Sequence, residues 1–210
     1  VLGIDNHSEV LADFKKILGA EVFEIASLPP CVPGMRLNNK LVVTAKNERV
    51  DYVLGSKVTG CTVADGKVVS VTVGTAGAGK EIKADAIVLA GGDFESGALK
   101  LDSHGHLHET ILDLPVTMPE GVKEEDLIHG DYWGSPQPLF LCGVEVDETM
   151  LVTYQGKPVH SNVYAAGGVI AGATRWQEKS GEGIALGSAI KAADAILSSV
   201  RAGVATKERN

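Results

Sequence analysis

The sequence predicts an α/β protein in which parallel strands end in glycine-rich turns and a helix covers the sheet. Two apolar stretches each end in a glycine pair, IVLAGG at residues 87–92 and VYAAGG at residues 163–168. A further glycine cluster, SGEG at residues 180–183, precedes an alanine-rich segment of helical character. Tight strand-to-helix turns need glycine, so the three clusters together favour this fold class.

Composition limits the class of protein further. The 210 residues suit one domain, or one domain with a small appendage. Hydrophobic residues make up 44% and aromatic residues only 5%, so we expect a core of Val, Ile, Leu and Ala. The net charge of −8, without a basic stripe, argues against a nucleic-acid partner. The apolar runs of about five to seven residues predict no membrane span, and three scattered cysteines indicate a reducing compartment.

The first quarter of the chain predicts helices on either side of a proline-rich loop. Val at position 1, within VLGI, gives the start the appearance of an interrupted strand, so we expect the chain to be part of a longer protein. In order, we expect a strand end at 1–4, a helix capped by Ser8 and stopped by Gly19, a strand at 21–26, a loop at 27–34 and a helix at 35–48.

The remainder predicts one hairpin, two parallel strands and a long helix. Alternating residues at 57–74 flank Asp65-Gly66, a favoured pair for a tight hairpin turn. The continuous apolar run before Gly91 is typical of a strand buried on both faces of a parallel sheet. We also expect a hairpin loop at 74–80 and a helix at 180–200. Between them, residues 93–160 should form an irregular, partly β insertion. It would include a polar hairpin followed by an extended stretch at 101–116, a strand and turn at 142–150, and a turn at Gly156.

The glycine clusters allow two interpretations. Glycine at the carboxyl ends of parallel strands lets the backbone approach a ligand, and glycine at a helix start exposes N–H groups that favour an anion. The alternatives are tight turns without a ligand and plain packing of a thin helix on a sheet. Taken together, the clusters favour a nucleotide site.

Other polar residues also leave alternatives open. Arg36 follows the proline-rich loop and could bind a carboxylate or a phosphate, or it could be a surface arginine. Arg175 and Trp176 face the same alternatives. The histidines at 104, 106 and 108 would share one face of a strand, but their polar surroundings favour an exposed turn, and we predict no metal site. The loop residues His129 and Asp131 are more simply explained by structure than by function.

Four segments carry a resemblance to a known family. They are SLPPCVPGMRLNNKL at 27–41, IVLAGGDFESGAL at 87–99, GDYWGSPQPLFLCGVEVDETM at 130–150 and VYAAGGVIAGATRWQEKSGEGIALGSAI at 163–190. In this order they resemble the B subunit of the anaerobic glycerol-3-phosphate dehydrogenase, a fumarate-reductase-like flavoprotein. The glycine endings are general among such flavoproteins, whereas LPP-x-x-x-G-x-R and GD-x(5)-QP-x(4)-GV-x-x-DET are specific.

The resemblance implies a fold and an activity. The fold would be part of an FAD/NAD(P)-binding Rossmann-like fold, with a parallel sheet and an antiparallel hairpin region. The chain would correspond to the C-terminal half of its relatives and lack their N-terminal βαβ unit with its phosphate-binding loop. Residues 1–210 would then be the C-terminal portion of a flavin-binding domain. The activity would be oxidation of glycerol 3-phosphate to dihydroxyacetone phosphate, with electrons passing to quinone.

The resemblance also implies a cofactor, partners and site residues. FAD or FMN would be the cofactor, and we expect the chain alone to be inactive and to retain neither. The partners would be the flavoprotein A subunit and the iron–sulfur C subunit, in the cytoplasm or at the cytoplasmic face of the inner membrane, and a homo-oligomer of the chain stays open. Alternatives are a non-catalytic electron-transfer or assembly subunit, or a fumarate-reductase-like enzyme with another substrate.

Arg36 and Gln137 are candidates near the substrate, and the predicted flavin contacts are Gly91, Gly92, Gly167, Gly168, Gly181, Gly183 and Ala185.

Overall fold

The chain divides into two units, Val1–Gly55 and Ser56–Asn210. The computed structural model describes residues 2–25, 27–28, 30–74, 77–131 and 134–207. The sequence shows no polar, linker-like stretch before residue 55, because VDYVLG at 50–55 is mostly apolar.

The first unit contains two helices, α1 at His7–Leu18 and α2 at Val32–Asn47. Helix α1 ends at Gly19, which adopts a left-handed φ of 62° and donates its N–H to the Lys15 carbonyl oxygen at 2.9 Å. This confirms the predicted stop. Helix α2 begins at Val32 rather than at Met35, because its proline lies in the first turn, where a missing N–H removes no helical hydrogen bond.

Other predictions for the first unit are wrong. Asn6, not Ser8, occupies the N-cap position of α1, and no side chain caps it there. Residues 2–4 and 21–25 form no strand, and Val1 and Ala26 lie outside the described residues. An alternating pattern needs a neighbouring strand to supply hydrogen-bond partners, and the described part of this unit contains none.

The first unit has almost no core of its own. Among its described residues, Leu2 is the only buried hydrophobic side chain. Large apolar side chains lie open instead, including Ile17 at 80%, Phe23 at 79% and Leu28 at 87% exposure. Hydrophobic burial inside this unit is therefore slight.

The second unit combines short strands with one long helix. In chain order its elements are β1 Val58–Ala64, β2 Lys67–Val73, β3 Lys80–Lys83, β4 Ile87–Leu89, β5 Leu99–Leu101, β6 Leu107–Glu109, β7 Glu145–Val146, β8 Val152–Tyr154, β9 Lys157–Pro158, β10 Val163–Ala165, α3 Arg175–Glu178 and α4 Gly181–Lys207. Three 3-10 turns, at Glu124–Asp126, Pro138–Leu141 and Gly167–Val169, complete the described elements. The α/β class is confirmed.

The predicted hairpin is confirmed as part of an antiparallel sheet of order β1-β2-β3. Its turn residues Asp65 and Gly66 have φ values of 50° and 72°, as a tight two-residue hairpin turn requires. The glycine-rich stretch at 74–80 joins β2 to β3, so its described residues form the predicted hairpin loop. Residues 75 and 76 lie outside the described part of the chain.

Strands β4 and β10 form the predicted parallel pair, with Ile87 opposite Val163 and Leu89 opposite Ala165. All three residues of β10 are buried. The prediction that β4 is buried on both faces is wrong, because Val88 is 41% exposed. Only one face of β4 is covered by the described elements.

Residues 93–160 contain short β pieces and two of the 3-10 turns. Strands β5 and β6 pair antiparallel and form the expected polar hairpin, while β7, β8 and β9 form a further antiparallel sheet. The predicted turn at Gly156 lies between β8 and β9. The core is aliphatic, as composition predicts, and gathers Val68, Leu89, Leu99, Leu112, Leu114, Val144, Val152, Val163 and Val169.

One buried side chain connects the antiparallel sheet to the parallel pair. The Asn162 amide nitrogen donates to the Val68 and Asp85 carbonyl oxygens at 2.8 and 3.0 Å. Its carbonyl oxygen accepts from the Val68 N–H at 2.9 Å. Asn162 therefore fixes the entry of β10 against β2 and against the residues just before β4.

Helix α4 begins at the predicted place and continues to Lys207. Its segment Gly181–Arg201 is, among the described helices, the one long and apolar enough to cross a membrane by length and composition alone, which is weak evidence by itself. Ala192 is fully buried on one side of it, and the charged Lys191 and Asp194 lie at its middle.

Candidate functional site: the glycine-rich ends of the parallel strands

The two predicted strand ends lie against each other. A Cβ atom added to Gly168 would stand 3.7 Å from the Gly92 carbonyl carbon and 3.6 Å from the Asp93 side chain. Gly92 itself has a φ of 86°, which other residues rarely adopt. The structure therefore brings the carboxyl ends of β4 and β10 together, as a ligand site at the edge of a parallel sheet requires.

Gly91 is a glycine for a different reason. A Cβ atom there would stand 2.6 Å from Ile111 Cδ1 and 3.0 Å from the Ala98 Cβ. The space beside Gly91 is thus filled by the chain's own insertion. Gly92 borders the second strand end, but its side-chain position is also filled, because a Cβ atom there would meet Ser96 Oγ and stand 2.9 Å from the Ser96 Cβ.

Helix α4 lies directly on the second glycine pair. The Gly167 N–H donates to Ser188 Oγ at 2.9 Å, and the Gly167 φ is 77°. A Cβ on Gly167 would stand 3.8 Å from the Ala185 Cβ, so Ala185 packs beside the strand end. Small side chains on α4 permit this close approach. The contact made by Ser188 was not predicted, although a polar residue within an alanine-rich helix is a signal of such a role.

The start of α4 is open to solvent. A Cβ on Gly181 would come no closer than 3.7 Å to Arg175, and one on Gly183 would meet nothing within 4 Å. A cleft of about 370 Å³ lies here, lined by Glu95, Phe140, Arg175, Lys179, Gly181 and Glu182. The first backbone N–H groups of a 27-residue helix carry partial positive charge, which favours a phosphate or another anion.

An ion-pair cluster joins this cleft to the end of β4. Arg175 forms ion pairs with the buried Asp93 carboxylate and, at 2.9 Å, with Glu95. Asp93 also accepts a hydrogen bond from the Glu95 N–H at 2.9 Å. The Arg175 guanidinium is therefore occupied by carboxylates, and it acts here as a positioning group between α3 and the β4 turn.

Comparison with known proteins decides the family. The model of a family described as FAD binding domain matches residues 1–184. The chain belongs to this FAD binding domain family. Its relatives include the B subunit of the anaerobic glycerol-3-phosphate dehydrogenase of Actinobacillus pleuropneumoniae serotype 5b (strain L20), 29% identical over 92% of this chain and 45% of the relative. No solved structure matches the chain at a significant level.

Two further relatives carry similar names. The probable B subunit of the anaerobic glycerol-3-phosphate dehydrogenase of Halobacterium salinarum (strain ATCC 29341 / DSM 671 / R1) is 29% identical over 93% of this chain and 45% of the relative. The B subunit of Glaesserella parasuis serovar 5 (strain SH0165) is 27% identical with the same coverage. The resemblance to the B subunit is confirmed, and the chain spans about 45% of the length of these relatives.

Of the predicted site, the start of α4 is the part with open space for a bound group. A Cβ atom on Gly183 would meet nothing within 4 Å and one on Gly181 would make only an ordinary contact with Arg175, so the start of α4 leaves room for a flat or anionic group. The cleft volume lies within the range of ordinary ligand pockets. Gly91 does not contribute open space, because Ile111 and Ala98 fill it.

Neither predicted catalytic side chain is free in this FAD-binding-domain chain. In the first unit, Arg36 donates to the Gly3 carbonyl oxygen at 2.6 Å and forms an ion pair with Glu24. Its hydrogen bond lowers the Glu24 pKa below the usual value. Arg36 therefore connects α2 to residues near positions 3 and 24 of the same unit.

Gln137 holds its own loop together. Its Oε1 accepts from the His129 N–H at 2.8 Å, and its Nε2 donates to the His129 and Asp131 carbonyl oxygens at 3.0 and 3.2 Å. These contacts close the GD-x(5)-QP segment into a loop. The sequence likewise favoured a structural role for His129 and Asp131. Tyr132 and Trp133 lie outside the described residues.

The three neighbouring histidines surround one carboxylate instead of a metal. Asp102 accepts from the backbone N–H groups of His104 and His106 at 2.8 and 2.9 Å, and its other oxygen lies 3.0 Å from His108 Nε2. The His108 hydrogen bond, followed by the backbone donors, holds the Asp102 pKa well below its usual value. Among the described residues no group of three or more His, Cys, Asp and Glu is suited to a metal ion.

Besides Ser188, sequence reasoning missed the structural roles of Glu109 and Asp93. Glu109 is buried and accepts backbone hydrogen bonds from Ile111, Leu112 and Leu114 at 2.6, 2.8 and 3.3 Å. Asp93 is buried behind the first glycine pair. For Asp93 a signal existed, because Asp followed at a short distance by Ser is typical of a side-chain-stabilised turn. Glu109 gave none.

Proposed function

We propose that the chain forms part of the FAD-binding domain of a flavin-linked dehydrogenase that oxidises glycerol 3-phosphate to dihydroxyacetone phosphate. The observation that carries the proposal is that Gly92 approaches Gly168 and that Ala185 approaches Gly167 where two parallel strands end, in a chain of the FAD binding domain family. The substrate is inferred from the names of the relatives. Electrons would pass from the flavin to quinone.

The chain's own residues would bind and orient the cofactor. Gly92, Gly167 and Gly168 would border it at the sheet edge, and Gly181, Gly183 and Ala185 would border it along α4. The helix start would stabilise negative charge on the cofactor. FAD, when bound, supplies the hydride acceptor, and the protein orients and polarises the reacting groups. We propose further that the chain forms part of a Rossmann-like fold.

We also propose that the chain by itself holds FAD weakly. The cleft at α4 offers one group of backbone donors, and the open side of β4 leaves the parallel pair incomplete. Relatives more than twice as long would surround the cofactor on further sides. The enzyme would then act with two partner subunits, the A and C subunits that the resemblance implies, at the cytoplasmic face of the membrane.

Fusion with the remaining part of a relative tests the function. The stretch of the Actinobacillus relative that this chain does not match would be joined to this chain, and the product purified and analysed for flavin. Addition of glycerol 3-phosphate without oxygen should bleach the visible flavin absorption, whereas sn-glycerol 1-phosphate, the mirror-image control, should not. A flavin-loaded product that neither compound bleaches would contradict the proposed substrate.

A second function is favoured by one observation. Arg36 and Gln137, the candidate catalytic side chains, are both engaged in internal contacts. This favours a non-catalytic role in assembly or electron transfer. Flavin that is reduced only after the A subunit is added, and never by substrate directly, would support this second function over the first.

A further inference from the structure

A second groove lies between helix α4 and the turn that joins β7 to β8. Its volume is about 560 Å³, and its polar lining consists of Glu148, Thr149, Tyr164, Lys191, Asp194 and Ser198. Lys191 follows Gly181, the first residue of α4, by ten residues, which is about 15 Å along the helix axis. The groove is therefore separate from the cleft at the start of α4.

Tyr164 is the buried member of this lining, with 7% exposure. Its neighbours Val163 and Ala165 belong to the aliphatic core, so strand alternation places Tyr164 on the opposite face of the parallel pair. Its hydroxyl has no hydrogen-bond partner among the described residues. The hydroxyl stays accessible, because His160 Nδ1 is the one fully buried side-chain nitrogen or oxygen without a partner in the described part of the chain. Buried tyrosines normally use their hydroxyl, so this one is left for a bound group in the groove that Tyr164 lines.

The rest of the lining is rich in hydrogen-bond acceptors. The Thr149 hydroxyl already donates to the Asp147 carboxylate at 2.6 Å. The Ser198 hydroxyl already donates to the Asp194 carbonyl oxygen at 2.8 Å. The lone pairs of both hydroxyls remain free to accept. The carboxylates of Glu148 and Asp194 only accept, and neither forms an ion pair with a described residue, so the groove favours a ligand with several donors.

Lys191 adds a positive charge to the same groove. Its ammonium group forms no ion pair within the described chain, although Asp194 lies three residues further along the helix. A purely cationic ligand would be repelled by Lys191, and a purely anionic one by the carboxylates of Glu148 and Asp194. Unpaired charges of both signs in one groove are therefore complementary to a ligand that carries both.

We propose that this groove binds a small zwitterion, an amino acid or another amino carboxylate. The ligand's ammonium group would donate to Glu148 and Asp194, and its carboxylate would accept from Lys191 and from the Tyr164 hydroxyl. The volume of the groove lies within the range of small-molecule sites. The inference does not depend on the proposed function, because no residue of the groove is assigned to the cofactor.

Titration with charged probes, followed by the amide chemical shifts of the whole chain in NMR spectra, tests the inference. Glycine, 4-aminobutyrate and 6-aminohexanoate carry both charges at increasing separation, whereas butylamine and butyrate each carry one. At least one zwitterion should bind about tenfold or more tightly than either singly charged probe, since it alone satisfies both sets of groups. The shifted amides should include those of Tyr164 and Lys191, and added salt should weaken binding.

Matched variants assign the binding to the groove. Tyr164→Phe removes only the hydroxyl and should weaken binding of the zwitterion about threefold or more, whereas Tyr154→Phe on β8 should not change it. Lys191→Gln should weaken binding about tenfold, whereas Lys157→Gln, at an exposed lysine of β9, should not. Circular dichroism checks that all four variants fold.

Four results would overturn the inference. They are the absence of binding by all three zwitterions, equal affinity for butylamine or butyrate, unchanged affinity in both Tyr164→Phe and Lys191→Gln, and shifts confined to the start of α4. Equal affinity for butylamine, which resembles a lysine side chain, would indicate instead a groove for a basic segment of another protein.

Discussion

At Gly91 and Gly183 the same residue type serves opposite purposes. Gly91 is enclosed by Ile111 and Ala98, whereas Gly183 lies open at the start of α4. Sequence reasoning assigned both to a flavin contact, since a glycine pattern does not report what lies beside it. Only the packing separates a glycine that is needed for the fold from one that is free for a ligand.

Substitution by alanine should separate the two glycines. Gly91→Ala should lower the free energy of unfolding by about 1–3 kcal/mol, because the added methyl group overpacks the site. Gly183→Ala should be neutral or stabilise by up to about 1 kcal/mol, since alanine favours the helix. Urea unfolding followed by circular dichroism measures both. Equal losses of stability would contradict the packing described for Gly91.

The Arg36–Glu24 pair predicts a pH dependence in the first unit. The pKa of Glu24 is lowered in the folded chain, so its contribution is present above the ordinary glutamate pKa and is lost as pH falls through the lowered value. The α1–α2 unit of the wild type should therefore lose stability on acidification below about pH 4. Glu24→Gln should remove that part of the pH dependence, as measured by helix ellipticity in urea at several pH values. An unchanged profile would show that the pair contributes nothing.

Among the elements, those with a local turn signal or a continuous apolar run could be predicted from the sequence. The Asp65-Gly66 hairpin, the stop of α1 at Gly19 and the parallel pair β4–β10 all follow from local turn chemistry or continuous apolar runs. The strand predicted at 21–26 could not be judged locally, because an alternating pattern becomes a strand only where a neighbour supplies hydrogen bonds. The exposure of Val88 likewise depends on which other strands are present.

Asn162 gives a prediction for the junction between the sheets. Asn162→Ala would leave the buried Val68 N–H and C=O without their partner, since both bond to this side chain. The expected loss is about 1–3 kcal/mol of unfolding free energy. Ser198→Ala on the exposed face of α4 is the control and should change stability by less than about 0.5 kcal/mol. Thermal or urea unfolding distinguishes them, and a neutral Asn162→Ala would contradict the junction described.

For the whole molecule, burial differs sharply between the two units. The first unit buries Leu2 alone among its described hydrophobic residues, whereas the second has an aliphatic core around Val68, Val144 and Val163. Composition predicted a core of this kind but not its restriction to one unit. In α1, the apolar side chains of Phe14, Ile17 and Leu18 lie exposed.

Hydrogen exchange should reveal this difference. Amides of α1 and α2 should exchange faster than those of β2 and β10, because few apolar contacts oppose local opening. Mass spectrometry of exchanged peptides measures the rates for both units in one sample. Equal protection in both would contradict the slight burial described for the first unit.

FAD binding to the completed domain tests the central claim most directly. The chain fused to the unmatched part of the Actinobacillus relative, its Gly183→Val variant and its Gly60→Val variant would be compared by equilibrium dialysis against FAD. Both glycines have open space where the side chain would go, but only Gly183 borders the proposed cofactor. The account predicts binding by the wild type and by Gly60→Val, with affinity about tenfold lower or worse for Gly183→Val, as a side chain placed against a bound ligand implies. Unchanged affinity in Gly183→Val, or no FAD binding by the wild-type fusion, would contradict it.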